Sequence, residues 1–118
     1  LLRNCAIAGS LAAILLLHGQ AAAQSPSESV CLAKTDPTGG RMRFVVLEAD
    51  AGRFEQAGFQ RIPCPLLDAA LVRGQADRCA RLLAQSSEDQ AALGALYGMA
   101  VADMCAATAA WAQSQTGE

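Results

Sequence analysis

The residues best equipped for chemistry in this chain are its cysteines. Cys31, Cys64, Cys79 and Cys105 lie far apart, and no two form a C-x-x-C pair. That spacing excludes a thioredoxin-like redox motif and a zinc-knuckle ligand set. Four cysteines in a small chain with an export signal read as two structural disulfides. Four cysteines allow three pairings. If 75–85 and 87–113 form an antiparallel helical hairpin, equal rise along both arms sets Cys105 level with Asp68, one turn from Cys64. That placement favours Cys64–Cys105 and Cys31–Cys79.

The other reactive side chains are sparse. Once residues 1–23 are removed, no histidine remains and Lys34 is the sole lysine. A Ser/His or Cys/His nucleophile therefore has no partner within the chain. The acids Asp36, Glu48, Asp50, Glu55, Asp68, Asp77 and Asp103 are scattered, and none forms a catalytic pair. Glu48 and Asp50 are close in sequence but read as a polar strand end. Asp103 interrupts an apolar helix and reads as an exposed edge or a partner of Arg73, Arg78 or Arg81. Met99, Met104 and Cys105 offer soft sulfur of the kind that holds Cu(I), although methionine at helical spacing is normally core filler. No enzyme activity, cofactor site or metal site is expected.

The charge balance narrows the partners. Without Arg3, eight basic residues face eleven acidic ones, a net charge of −3. A nucleic-acid-binding domain carries a basic footprint, and this chain has none. The arginines divide between a strand half (Arg41, Arg43, Arg53, Arg61) and a helix (Arg73, Arg78, Arg81), and read as a solvated surface. Gly39-Gly40 lacks the pattern of a phosphate-binding loop.

The elements that must position these residues begin with a leader. Arg3 precedes an apolar run, Ala6 to Leu17, and Ala21-Ala22-Ala23 supplies an A-x-A site. This is the secretory-signal pattern, with cleavage expected after Ala23. Cys5 precedes the apolar run, so it is not a lipoprotein cysteine. Residues 24–118 then form one small domain, for which disulfides compensate a limited core. Residues 24–29 and 114–118 are expected to be flexible.

Within that domain, period-two patterns place strands at 30–34, 41–49 and 59–63. Met42, Phe44 and Val46 face one way; Arg41, Arg43, Val45 and Leu47 face the other. The run TDPTGG, from Thr35 to Gly40, is a turn signal between the first two. Asp50 to Ala57 gives a short helix with Gly58 in the C-terminal glycine position. Helices follow over 65–85, with Pro65 at the first position, and over 87–113. Strands followed by helices make an α+β domain with a two- to three-stranded sheet. An all-α bundle with irregular N-terminal loops is the alternative.

The run from Ser87 to Gln113 is Ala-rich and proline-free, and reads as one continuous helix buried on more than one side. Ser86 or Ser87 caps it. Leu93, Tyr97, Ala100, Met104, Ala107 and Trp111 form one stripe. Gly94, Gly98 and Ala102 form a smooth second stripe suited to close approach, a candidate interface with a partner or a second copy.

These features describe a periplasmic or secreted, non-catalytic binding or accessory protein of the bacterial cell envelope, acting through protein–protein contacts with a partner of unknown identity. A homo-oligomer through the last helix is one form of this. Two alternatives stand beside it: an inner-membrane-anchored component retaining its N-terminal helix, and a thiol-redox or copper-binding periplasmic protein.

Overall fold

A computed structural model of the chain describes residues 28–115. The expected leader, its Ala23 cleavage site, residues 24–27 and 116–118 lie outside the described residues. The element order is β1 (Ser29–Thr35), β2 (Arg41–Leu47), α1 (Glu48–Gln56), β3 (Gln60–Ile62), α2 (Ala69–Leu83), α3 (Ser87–Tyr97) and α4 (Val101–Gln115). The domain is α+β, with a three-stranded antiparallel sheet in the order β2-β1-β3 followed by helices and carrying two disulfides.

The β1–β2 hairpin pairs Val30 with Val46, Leu32 with Phe44 and Lys34 with Met42. All of these except Lys34 belong to the main core. Alternation along a strand then sends Cys31 and Val45 to the opposite face, where they meet Trp111. The turn is closed by Asp36, whose Oδ1 accepts from the backbone N–H of Thr38 and Gly40 at 2.7 and 3.1 Å, with Gly39 at φ +94°. Helix α1 crosses the main-core face and delivers β3 to the far edge of β1. Phe54 of α1 meets Phe59 edge-on at 5.2 Å and Phe44 at 5.8 Å, which fixes α1 on the sheet.

β2 is an edge strand, and its outward backbone groups are taken up by helix side chains. Gln75 Oε1 on α2 accepts from Val45 N–H at 3.2 Å. The Thr108 hydroxyl on α4 donates to the Val45 carbonyl at 2.7 Å. The Arg78 guanidinium donates to the Arg43 carbonyl and lies 4.7 Å over the Phe44 ring. Helices α2 and α4 thus seal an edge that would otherwise template pairing with another chain. Trp111 Nε1–H donates to Ser29 Oγ at 2.8 Å and ties the end of α4 to the start of β1.

Four sequence expectations are corrected. The run 87–113 is not one helix: it breaks at Gly98, which adopts φ +78° and caps α3, and α4 leaves at 78° to α3. Helix α2 starts at Ala69 rather than Pro65, because Asp68 accepts from the Leu71 N–H as a true N-cap. Ser29, Ser114 and Gln115, expected in flexible ends, are in β1 and α4.

The fourth correction is the disulfide pairing. The structure joins Cys31 to Cys64 and Cys79 to Cys105. The expected pairing assumed that α2 runs back along an unbroken last helix. With the break at Gly98, the antiparallel neighbour of α2 is α4 alone, which brings Cys79 level with Cys105.

Candidate functional site

The most apolar concavity lies between α2 and α4. It has a volume of about 620 Å³. Val72, Ala76, Cys79, Ala80 and Leu83 line it from α2; Ala102, Cys105, Ala106, Thr108, Ala109, Ala112 and Gln113 line it from α4. No charged side chain is among them. The small residues recur every three or four positions on each helix, so each helix presents a smooth wall. The floor is the Cys79–Cys105 bridge, with both cysteines nearly covered. The Thr108 hydroxyl is spent on β2, so it does not make the floor polar.

Most of the wall residues stand outside the core. Ala76, Ala80, Ala102, Ala106 and Ala109 are exposed, and Leu83 is 47% exposed. Composition here is apolar where folding does not require it, which is the informative kind of surface. A second hollow, between α3 and α4 and lined by Gly94, Gly98, Met99 and Ala102, adjoins the groove at Ala102.

The predicted interface residues separate. Ala102 lines the groove. Gly94 does not present a smooth outer stripe: a Cβ there would lie 3.1 Å from the Met99 carbonyl, so it allows the chain to double back after α3. Gly98 forms the bend itself. Most of α3, expected to be buried, is exposed, and Tyr97 is its one buried residue among those described. The central helix is α4, through Val101, Met104, Cys105, Ala107, Thr108 and Trp111.

The charged and polar residues build the frame rather than a reaction centre. Lys34 Nζ donates to the carbonyls of Ala57 and Tyr97. Asp36 is buried and accepts from Tyr97 O–H at 2.7 Å and Thr38 O–H at 2.5 Å. The Thr38 hydroxyl, then the Tyr97 hydroxyl, hold its carboxyl down at about 2. Burial, followed by the hydrogen bond to Asp36, pushes the Tyr97 phenol up to about 12.

Glu48 does not share a site with Asp50. It shares Arg61 with Glu55, each 2.9 Å away, and Asp50 pairs with Arg53 at 3.5 Å. The Arg61 hydrogen bonds hold the Glu48 carboxyl below its ordinary range. Burial, then Arg81 and Arg43 nearby, lowers the Arg78 guanidinium.

Asp103 is exposed in the first turn of α4, where its charge complements the helix dipole. The Met99, Met104, Cys105 set does not converge on an ion. Met104 is sealed in the core and the Cys105 sulfur is bonded to Cys79. Among the described residues, no group of three or more His, Cys, Asp or Glu is placed to hold a metal.

The sequence reading missed the groove. It placed the smooth surface on glycines of a single helix, whereas the surface is shared by two helices brought together by a bridge that spacing does not reveal. The signal was present in the bare alanines Ala76, Ala80, Ala106 and Ala109. No protein-family model matches this chain, and no curated protein or solved structure is detectably similar to it.

Proposed function

We propose that this protein is an exported, non-catalytic binding module of the bacterial cell envelope that receives an apolar helix of a partner protein in the groove between α2 and α4. The observation that carries this reading is the groove: an apolar trough walled by exposed alanines, too large for a packing defect and within the size range of ligand sites. Helix-in-groove recognition uses such a trough to take up large side chains from the apolar face of an incoming helix.

The chemistry of the walls favours a different protein over a second copy. Two concave alanine surfaces placed face to face supply few large side chains to fill the space between them. A helix bearing Leu, Ile or Phe fills it. The two disulfides are compatible with an oxidising compartment, and the leader with cleavage after Ala23 supports the periplasm or the exterior as the place of action. Among the described residues no single helix is long and apolar enough to cross a membrane; α3 and α4 together have the length and composition but are bent by 78°.

The test is site-specific photocrosslinking in the producing cell, with the photoreactive residue at Ala80 or Ala106 and a control at Arg53 on α1. A discrete adduct from the groove positions alone, lost on Ala109→Glu, supports the reading. Equal labelling from all three positions, or none, overturns it. The mass of the recovered protein reports its N-terminus. Retention of residues 1–23 in a membrane fraction would replace the exported module with an anchored component.

A further inference from the structure

The two disulfides sit in unlike surroundings. Cys79 and Cys105 join the middles of two helices whose backbones are held by their own hydrogen bonds, and both belong to the core. Cys31 is buried in the central strand, but its partner Cys64 is exposed in an irregular segment between β3 and α2. From Pro63 to Asp68 every residue is exposed, and the segment has neither helix nor strand. Among the described residues, its backbone hydrogen bond before the α2 cap is the internal one from Asp68 N–H to the Leu66 carbonyl, 3.1 Å. The bridge to Cys31 is a second tie of this stretch to the sheet, beside its chain continuity with β3.

The stretch carries an unusual load. Leu66 is 78% exposed and Leu67 38%. Leu67 also lies beside Val72 and Gln115 in a small hollow, and Val72 is shared with the α2–α4 groove. The bridge also borders the surface. Cys31 and Cys64 line a surface hollow of about 290 Å³ together with Glu48, Arg61 and Ile62.

We propose that the Cys31–Cys64 disulfide is a releasable clasp on the Pro63–Asp68 segment, opened by a dithiol reductant at Cys64 while Cys79–Cys105 stays closed. A thiolate of the reductant attacks the sulfur of Cys64, and the Cys31 sulfur leaves and takes up a proton. The second thiol of the reductant then attacks the mixed disulfide and releases Cys64 as a thiol. Two electrons pass from the dithiol, which ends as its own disulfide. The helix-borne bridge lies under the groove with both cysteines nearly covered, whereas Cys64 is exposed on a loop. Release keeps the β1–β2 and β1–β3 ladders and sets Leu66 and Leu67 free to move, Leu67 from its place beside Val72. The inference does not rest on the groove having a partner.

The experiment is timed reduction of the intact protein by dithiothreitol without denaturant, quenched with an alkylating reagent and mapped by peptide mass. Cys31 and Cys64 are expected to be labelled about tenfold or more faster than Cys79 and Cys105. With a monothiol such as cysteamine, the trapped adduct is expected on Cys64. Thermolysin cleavage between Leu66 and Leu67 is expected to accelerate once the clasp is open, with the helical circular dichroism unchanged. A Cys31→Ala/Cys64→Ala variant that folds should show the same fast cleavage without reductant. Equal reduction of both bridges, prior opening of Cys79–Cys105, an adduct on Cys31, or cleavage indifferent to the clasp would each overturn the proposal.

Discussion

Lys34 closes two helices at once. Its ammonium donates to the carbonyl of Ala57, the C-cap of α1, at 2.5 Å and to that of Tyr97, the last residue of α3, at 3.1 Å. Each helix C-terminus is the negative end of a dipole with carbonyls left over, so one cation between two such ends satisfies both. The glycines that follow make room for it: a Cβ on Gly58 or Gly98 would lie 3.1 or 3.4 Å from Nζ. Lys34→Met is expected to lower stability by about 2–3 kcal/mol, the scale of two hydrogen bonds to a charged group in a half-buried setting. Gly98→Ala is expected to cost about 1–2 kcal/mol, since φ is +78° and its Cβ would meet the Ala57 carbonyl at 3.0 Å. Urea denaturation of each variant checks both values.

The pair next to this lysine makes stability depend on pH on both the acid and the alkaline side. Asp36 has a folded pKa of about 2 against an ordinary 3.8. Below the ordinary value the unfolded chain binds the proton first, so this stabilisation is present above pH 3.8 and is lost as the pH falls to about 2. Tyr97 is raised from 10.0 to about 12, so its contribution holds below pH 10 and is lost as the pH rises to about 12. The urea midpoint is therefore expected to form a plateau with an acid and an alkaline limb. Tyr97→Phe should abolish the alkaline limb arising from this residue and shift the acid one upward, because Asp36 loses one of its donors. An unchanged alkaline limb in Tyr97→Phe would show that another group titrates there.

The strand half of the molecule was legible in the sequence because its information is local. Met42, Phe44 and Val46 alternate with Arg41, Arg43 and Val45, and the turn residues from Thr35 to Gly40 mark where the hairpin reverses. Lys34 shows what was not legible. Composition from Ser87 to Gln113 favours an unbroken helix, and Gly98 alone carries too small a penalty to stop it. The break at Gly98 is supported by a cation on a strand more than sixty positions earlier, which takes the Tyr97 carbonyl. Once that bend was missed, the pairing of Cys79 with Cys105 and the groove above it were out of reach, because both depend on α4 rather than α3 lying along α2.

Edge protection of β2 can be measured directly. Thr108→Val removes the donor to the buried Val45 carbonyl, and Gln75→Leu removes the acceptor for the Val45 N–H. Each leaves a buried backbone group unpaired, which costs about 1–3 kcal/mol. The two sites share Val45 and lie 3.2 Å apart, so the double variant is expected to depart from additivity by about 0.5 kcal/mol or more. Denaturation of the two singles and the double gives the coupling. Because an unsealed strand edge invites pairing between chains, the double variant should also aggregate faster on heating.

The bridge under the groove holds its walls at a fixed spacing. The chain-entropy estimate for a separation of 26 residues is about 3–4 kcal/mol, and Cys79→Ala/Cys105→Ala should lose close to that in reversible denaturation. The groove alanines should behave in the opposite way. Ala80 and Ala106 are exposed, so Ala80→Glu and Ala106→Glu are expected to change stability by no more than about 0.5 kcal/mol. A carboxylate in the trough would nevertheless have to be desolvated by any apolar helix entering it, at a cost of several kcal/mol. Partner capture should therefore fall by more than tenfold in variants whose melting is unchanged. Natural residues that fold no better than their charged replacements, yet cannot be replaced without losing the partner, are the mark of a surface kept for binding. Capture that survives both substitutions would move the contact surface away from α2 and α4.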